Sequence, residues 1–281
     1  MANSINNFVI DHVLRGIMTN SNGEYLWSVN QITNPSLSVT TENSQAVDAL
    51  GSVIAEFDRA RNAQFSAENS LFDLGLYAAQ MGQSKNEASD TNKIEVPMFE
   101  TVTLSNTNVD GSNLEATQTS GGKYTYVYTL KKVPVEDIKY IYKLNGDGTL
   151  GTKFTLDTSA GESKFAYDSS SHKVSIPTSL IEGEQVFIMY NYKTNSGASV
   201  TADGINFPKG GKFTMEVLGV DTCDPDTVIY AYLIFPNAKL DSNIDYSFQT
   251  DGTHPFTIKA LQDYCDSEKK LFTIVIPSEE E

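Results

Sequence analysis

The chain has 281 residues, and its 20 basic side chains against 36 acidic ones give a formal net charge of −16. A protein that grips nucleic acid needs cations to replace the counterions it displaces, so this balance disfavours a DNA-binding protein. Hydrophobic residues make up 40% of the chain and aromatic residues 10%, which is typical of a globular protein with a buried core. The length allows one large β domain or two smaller ones.

The cysteine content and the N-terminal sequence predict synthesis in a reducing cytoplasm, without secretion. The two cysteines, Cys223 and Cys265, are too few for a disulfide framework and form no CxxC pair. Residues 1–7 are mostly polar and uncharged, and the apolar residues 8–10 are interrupted at Asp11, so we expect no signal peptide. Nowhere do about 18 consecutive apolar residues occur, so we expect no membrane anchor.

The N-terminal third is predicted to begin with a short helix or arm and to continue as a β meander. Within residues 8–18, four apolar residues fall at helical spacing: Ile10, Val13, Leu14 and Ile17. Apolar residues then alternate through residues 24–31 and again through residues 36–41, which indicates half-buried strands. A turn at Gly51 precedes a further strand over residues 52–57, and the strand pattern runs on to residue 66.

One helix is predicted over residues 67–81. Cap-type residues and Glu68 precede an apolar run, and Gly82 is placed to end the helix. Apolar residues cover most of its surface, so we expect the helix to be clamped against β-sheet.

Long polar stretches surround the next predicted strand, at residues 94–104. Residues 83–93 and 105–122 are rich in polar residues and are interpreted as loops. Loops longer than about 12 residues are uncommon in compact domains unless they are functional. We therefore expect these loops to become ordered against neighbouring molecules in an assembly.

Residues 123–200 read as an additional β module of roughly 75 residues. Alternating tyrosines open it, the turn residues 145–148 follow, and strands are predicted at 153–156, 163–168, 172–176 and 185–192. The pattern leaves open whether this module is an outward-facing insertion or continues the main sheet. The last quarter adds predicted strands at 211–220, 227–236, 244–250, 256–263 and 271–277.

The predicted fold is therefore mainly β: a β-sandwich or barrel with one packed α-helix at about residues 67–81, plus the additional β module. The tube-like core would be discontinuous, made of residues 1–122 and 201–281, with residues 123–200 as the extra module.

No combination of residues predicts a catalytic, cofactor or metal site. The histidines His12, His172 and His254 show no metal-ligand spacing, and each is interpreted as a surface or turn residue. Neither cysteine lies near a histidine motif, which disfavours a cysteine nucleophile. Residues 145–148 and 221–226 resemble calcium loops only locally, because neither is closed by a glutamate at the twelfth position.

Enzyme motifs are missing as well. The sequence contains no GxSxG, no GxxxxGK[ST] and no GxGxxG before a helix, which disfavours a nucleotide-dependent enzyme. Paired carboxylates of a glycoside hydrolase remain open, because such partners need not be close in sequence. We expect a protein that is not an enzyme and that carries no cofactor.

Two blocks of the sequence resemble the tail tube (major tail) proteins of bacteriophages, which are related to the inner-tube proteins of contractile injection systems. The N-terminal block is the strand run AEFDRARNAQFS at 55–66 followed by the capped run ENSLFDLGLYAAQMG at 68–82. The C-terminal block contains YLIFPNAKL at 232–240, FTIKALQD at 256–263 and LFTI at 271–274. The likeness covers roughly 150 residues, in two blocks, and lies in the order and texture of the elements and not in a short invariant motif.

This resemblance implies a virion protein of the tail, assembled in the host cytoplasm, whose hexameric rings stack into a DNA-conducting tube. It implies copies of the same chain as partners, with tail sheath, baseplate and tail terminator proteins at its surfaces. DNA would pass through the lumen without specific binding, and an acidic wall would repel the phosphates.

Two other functions remain open. One is another virion structural protein, such as a capsid decoration or baseplate protein. The other is a carbohydrate-binding attachment module that uses surface aromatics, for which the candidate residues are Tyr124, Tyr126, Tyr140 and Tyr190. Tyrosines in such positions are also common as cross-strand pairing residues.

Overall fold

The computed structural model describes residues 8–222, 224, 226–262 and 268–277. Within these residues no helix is long and apolar enough to cross a membrane. The protein is mainly β, with one α-helix, as predicted.

The elements follow one another in the chain as β1 (Phe8–Thr19), β2 (Tyr25–Val29), β3 (Ile32–Val47), β4 (Val53–Asn69), α1 (Leu74–Gln80), β5 (Asn86–Glu87), β6 (Ile94–Thr103), β7 (Leu114–Gln118), β8 (Tyr124–Thr129), β9 (Tyr140–Leu144), β10 (Leu150–Asp157), β11 (Lys164–Asp168), β12 (Lys173–Ser175), β13 (Gln185–Thr194), β14 (Ala198–Ser199), β15 (Gly210–Asp221), β16 (Val228–Leu240), β17 (His254–Ala260) and β18 (Thr273–Val275).

The chain divides into two compact units, which we call unit 1 and unit 2. Unit 1 comprises residues 1–86 and 199–281, and unit 2 comprises residues 87–198. The sequence placed the start of the additional module at residue 123, whereas in the structure residues 87–122 also belong to unit 2. The reason is long-range pairing: β6 pairs with β13 along ten residue pairs, and β7 pairs with β8.

A single strongly curved sheet forms unit 1. Its strand order is β2-β1-β15-β16-β17-β4-β3, and β18 also pairs with β16. Only two residues, Asn30 and Gln31, separate β2 at one end of this order from β3 at the other. The chain therefore passes directly from the first strand of the sheet order to the last one. This short connection is consistent with a sheet that curls into a half-barrel.

The concave face of the half-barrel is filled by side chains from the sheet itself. The centroid of the Trp27 ring lies 5.7 Å from that of Phe213 and 6.4 Å from that of Phe256. Phe65 lies 6.2 Å from both phenylalanines, and all four rings are buried. Aromatic pairs at these separations stabilise a core beyond their buried area.

Residues 8–18 form strand β1, so the predicted N-terminal helix is wrong. β1 pairs antiparallel with β15 from Phe8 to Thr19, and the ladder is interrupted by register shifts at 10–12 and at 13–15. Each shift is an irregularity of the bulge type, which places an extra residue on one strand and breaks the alternation of faces. The buried residues of β1 are Val13, Gly16 and Met18, so of the four apolar residues that suggested a helix only Val13 is buried.

The single helix is shorter than predicted. α1 begins at Leu74, and the Oδ1 atom of its N-cap, Asp73, accepts the backbone N–H of Leu76 at 2.8 Å. Residues 67–69 instead continue β4, with Ala67 and Asn69 on its buried face. The polar residues before position 71 looked like a cap because a strand end and a helix start use similar residues.

β3 and β4 form one long hairpin where the sequence predicted several short strands of a meander. They pair from Ile32↔Asn69 to Val47↔Val53. At the tip the Oδ1 atom of Asp48 accepts the backbone N–H groups of Leu50 and Ser52, at 2.9 and 2.8 Å. Gly51, at φ 84°, adopts the left-handed conformation that this turn requires.

The predicted strand at 244–250 is absent. These residues instead form an irregular segment between β16 and β17. Tyr246 turns inward from this segment, and its hydroxyl lies 2.6 Å from the Oε1 atom of Gln80 on α1. A buried polar contact has thus replaced the ladder that alternation suggested.

Unit 2 is built on an eight-stranded sheet in the order β6-β13-β9-β10-β11-β12-β8-β7. Its pairs are antiparallel except for β10 and β11, which run parallel. The predicted turn at 145–148 joins β9 to β10, with Gly148 at φ 82°. The unit has a core of its own, centred on residues such as Ile141, Phe165 and Ile188.

A glycine pair in β15 provides a test of the close approach between β1 and β15. A Cβ atom added to Gly211 would overlap the carbonyl oxygen of Thr19, whereas one added to Gly210 would sit 3.4 Å from the Ala238 carbonyl oxygen, an ordinary contact. We expect Gly211→Ala to lower the free energy of unfolding of unit 1 by about 1–3 kcal/mol, since overpacking forces the backbone to shift.

The measurement is urea unfolding followed by the fluorescence of Trp27, the one tryptophan of the chain. Gly210→Ala is the matched control and should change stability far less. Equal effects of the two substitutions would contradict this account of the close approach.

Candidate functional site

The structure does not bring the three histidines together. His12 is exposed on β1 beside Asp11, at 2.9 Å. His172 lies in the turn between β11 and β12 with φ 57°. His254 is fully buried, so the prediction of a surface or turn position is wrong for this residue. Among the described residues no group of three or more His, Cys, Asp or Glu side chains could hold a metal ion.

His254 belongs to a buried polar cluster that fastens α1 to the sheet. Its Nδ1 atom accepts the backbone N–H of Asp73 at 3.2 Å, and its Nε2 atom lies 2.8 Å from Gln80 Oε1 and 2.7 Å from the Tyr246 hydroxyl. Gln80 Nε2 donates to the Pro255 carbonyl at 3.0 Å. The sequence did contain a pattern that predicts a buried His254. His254 alternates with Phe256 and Ile258, and all three residues face the core.

This geometry requires a neutral His254. Since Nδ1 accepts a backbone N–H, the proton of the neutral ring is carried by Nε2, which faces Gln80 Oε1. Burial lowers the pKa of His254 from its usual 6.5 to about 4, against a smaller opposing effect of Asp73. The cluster is a structural clamp, because all of its polar atoms named here have partners within the protein.

A second buried polar cluster lies in unit 2 around Glu100. One carboxylate oxygen accepts from the Tyr128 hydroxyl at 2.6 Å, and the other accepts from the Tyr190 hydroxyl and from the Lys131 backbone N–H at 3.1 Å. Burial, together with the hydrogen bonds to Glu100, raises the pKa of both tyrosines. Glu100 is 2% exposed and fully occupied, so it is not placed to act as a general acid or base.

The two stretches examined as calcium loops are turns where the structure describes them. In residues 145–148 the Oδ1 atom of Asp147 accepts from the backbone N–H and the hydroxyl of Thr149, which lowers the pKa of Asp147. In residues 221–226, Cys223 and Pro225 lie outside the described residues, as does Cys265. Asp224 there caps the turn through the Thr227 hydroxyl at 2.6 Å.

The four candidate tyrosines for carbohydrate binding do not form one surface. Tyr126 and Tyr190 are buried, and their hydroxyls bind Asn106 and Glu100. Tyr124 is half-buried on β8. Tyr140 is exposed on β9, with the Lys153 ammonium 4.4 Å from its ring centroid. Only Tyr140 presents its ring to solvent.

The distal β3–β4 hairpin is the most prominent exposed surface of unit 1. The pairing of β4 with β17 ends at Gln64, and residues 39–63 extend beyond it. Nearly every residue of β3 is exposed. The hairpin carries seven exposed large apolar side chains: Leu37, Val39, Val47, Leu50, Val53, Ile54 and Phe57. Leu50, at the tip, is 92% exposed.

Unit 1 also has strand edges without a ladder partner among the described residues, and two of them lie on β3 and β1. The outer edge of β3 beyond Ser36 has no ladder partner, because β3 stands last in the strand order. β1 pairs with β2 only from Gly16 to Thr19, so its first half is bonded on one side only, to β15. Free edges of this kind are templates for pairing with another chain.

The convex face of the half-barrel is not acidic, despite the net charge of the chain. Side chains opposite the core alternation on the paired strands include two acids and four bases: Glu68, Glu216, Arg15, Lys212, Lys239 and Lys259. Arg15 is hydrogen-bonded to Glu216 at 2.5 Å, and Lys259 pairs with Asp241 at 2.6 Å. The acid excess therefore lies elsewhere in the chain.

Comparison with protein families gives one result that spans both units. A family model described as the YomU/Tube protein family matches residues 8–274, which is nearly the whole chain. A search of curated proteins finds no match.

The His254 cluster leads to a prediction about pH. Between pH 6.5 and pH 4 the unfolded chain binds a proton at His254 that the folded protein excludes, so the stability contributed by the neutral histidine is complete above pH 6.5 and falls as pH drops toward 4. From pH 7 to pH 5 we expect unit 1 to lose about 2 kcal/mol more than a His254→Gln variant does.

Urea unfolding followed by Trp27 fluorescence at both pH values measures this difference. His12→Gln, which changes an exposed histidine, is the control and should keep the pH dependence of the natural chain. The clamp would be refuted if His254→Gln lost as much stability between the two pH values as the natural chain.

Proposed function

Because the chain belongs to the YomU/Tube protein family, a family of phage tube proteins, we propose that it is the subunit of a phage tail tube and stacks as hexameric rings into a DNA-conducting channel. The family resemblance predicted from the sequence is confirmed. The protein is a structural component of the virion tail, and its family is structural, not enzymatic. The ring, its sixfold symmetry and the passage of DNA are the proposed part.

The observation that carries the proposal is the projecting β3–β4 hairpin. Its length beyond residue 63 is roughly 35–40 Å, at about 3.3 Å per strand residue. Large exposed apolar patches on soluble proteins mark sites of interaction. The hairpin holds Leu50, Ile54 and Phe57 in solvent, where they are 92%, 70% and 55% exposed. No other described residue of the chain buries these side chains, so they are available for contact with another molecule.

The position of the hairpin fits stacking. It projects from one end of the half-barrel, where β17 ends at Ala260 and the β3–β4 ladder continues alone. A copy that docks through its hairpin onto the opposite end of a neighbour leaves that neighbour's hairpin free for the next contact. Such head-to-tail contacts generate open stacks.

The free edges fit the closure of a ring. The outer edge of β3 and the first half of β1 belong to different ends of the strand order. Each subunit can therefore pair one edge with the copy on its left and the other with the copy on its right. Pairing of this kind removes the exposed edges that otherwise lead to aggregation. The number six comes from the family resemblance alone.

Passage of DNA needs a wall that does not hold phosphates. The chain has no basic excess, which supports a channel without specific binding. Two of the four bases on the convex face, Arg15 and Lys259, are neutralised by acidic partners. Tail sheath, baseplate and terminator proteins are the further partners that a tube of this kind would meet.

A test of the tube uses the hairpin tip. We expect the purified protein to form rings or tubes in negative-stain electron microscopy. Leu50→Asp should prevent stacking, because a charge at the tip cannot be buried in the neighbour without a partner. The same substitution should change the stability of the monomer by less than about 0.5 kcal/mol, since Leu50 contacts no core.

Leu150→Asp is the matched control, an exposed leucine beside the β9–β10 turn in unit 2, and it should assemble normally. Stacking by Leu50→Asp at the level of the natural chain would overturn the role of the hairpin. Purified protein that remains monomeric and binds only to capsids would favour a decoration protein over a tube subunit.

A further inference from the structure

Unit 2 carries an open groove that no feature of tube assembly explains. The groove has a volume of about 360 Å³, and it lies along one face of the sheet where β6, β13 and β9 run side by side. This volume is in the range of small-ligand sites, about 300–1,000 Å³. We call it the aromatic groove. Its floor is made of Phe99, Tyr140, Tyr142 and Met189.

The floor exposes flat apolar surface to water. Phe99 is 59% exposed and Met189, directly opposite it on β13, is 52% exposed. The ring of Phe187 supports that of Phe99 from β13, with centroids 6.0 Å apart and planes 14° from parallel. Strand residues hold these rings in place, so the platform exists before any ligand arrives.

Hydrogen-bond acceptors surround the platform. Glu136 and Asp137 lie on one wall, and Glu95 lies at one end, hydrogen-bonded at 2.8 Å to the side chain of Asn191. All three carboxylates are exposed, and ionised carboxylates only accept hydrogen bonds. A molecule that fits this rim must bring donors such as hydroxyl groups.

We propose that the aromatic groove binds a neutral, hydroxyl-rich glycan. The faces of aromatic rings carry negative charge density, which attracts the polarised C–H groups on the flat side of a sugar ring. The sugar hydroxyls then donate to Glu95, Glu136 and Asp137. This pairing uses both halves of the groove, the apolar floor and the acceptor rim.

The charge of the groove favours a neutral glycan over nucleic acid and over a second copy of this chain as the ligand. Three carboxylates against Lys139 and against Lys153, which lies beside the Tyr140 ring, leave the groove with an excess of negative charge that repels anionic polymers such as nucleic acid. A second copy of this chain brings a net charge of −16, so an acid-rimmed groove is a poor place for it to dock. A cationic peptide would match the rim, and it is therefore one arm of the test.

The test is isothermal titration of the full chain with neutral hexaoses of glucose and N-acetylglucosamine in different linkages, with heparin as the anionic probe and hexalysine as the cationic probe. We expect at least one neutral hexaose to bind, and Phe99→Ala to weaken that binding at least tenfold. Phe99→Tyr keeps the ring and should retain binding within about threefold, since stacking depends on the ring face.

Two controls keep a loss of binding interpretable. Phe248→Ala removes an exposed phenylalanine of unit 1 and should leave binding unchanged. Thermal melting followed by circular dichroism should show Phe99→Ala folded. Binding of hexalysine in preference to every hexaose, or no binding of any hexaose, overturns the proposal.

The proposed assembly and the proposed glycan binding can be tested independently of each other. Phe99→Ala should still form rings or tubes, and loss of assembly in this variant would show that the groove is a contact between copies, which also overturns the proposal. Leu50→Asp should bind the hexaose normally, because its groove is intact. A chain that binds glycan but never assembles would contradict the tube and leave the groove standing.

Discussion

The packing of Trp27, Phe65, Phe213 and Phe256 against one another on the concave face of a single sheet is the constraint on which unit 1 depends. Within the described residues of unit 1 no second sheet covers that face, and α1 has only seven residues. The sheet must therefore fill its own curvature with large side chains. The sheet also comes close enough for glycines to be needed, since a Cβ at Gly16 would collide with the Phe213 ring.

The core also ends partway along β4, at the point where the proposed assembly surface begins. Along β4, alternate side chains are buried from Ala63 onward, where the strand crosses the concave face. Before that point the same strand carries Val53, Ile54 and Phe57 into solvent. One strand thus serves two purposes, and the boundary falls where its partner β17 ends. The polar clusters around His254 and Glu100 fasten the elements behind this boundary, and satisfied buried networks of this kind rigidify what they join.

The sequence predicted local features well and non-local ones poorly. Period-two alternation located most strands, Gly51 and Gly148 located turns, and the family resemblance followed from the order of the elements. The register shifts of β1 interrupt its alternation of faces, so periodicity could not identify this strand. The start of unit 2 depends on the pairing of β6 with β13, about 90 residues away in the chain, and no local pattern reports such a pairing.

The candidate binding surfaces also depend on non-local contacts that the sequence does not show. The exposed hairpin could not be predicted, since its apolar residues look like core residues until the structure shows no core beside them. The aromatic groove joins Phe99 and Phe187, which only the sheet brings together. Tyr126 and Tyr190 looked equally suited to a sugar site, yet both face inward and bind Asn106 and Glu100. An alternating sequence shows that a strand has two different faces, but it does not show which face is exposed to solvent.

Placing assembly in unit 1 and a ligand groove in unit 2 has an energetic consequence. The hairpin and the free edges belong to one unit, whereas Phe99 and its acceptor rim belong to the other. A single shallow groove binds weakly, because a few stacking contacts and solvent-exposed hydrogen bonds must offset the cost of immobilising a flexible glycan. Stacked copies change that balance: once one groove is occupied, its neighbours meet the same polymer at a high effective concentration, and overall affinity can rise by about 10²–10⁴ without any new contact. In the proposed stack, a polymeric glycan would therefore be held through grooves that each bind it weakly, and it would be released as these contacts are lost one at a time.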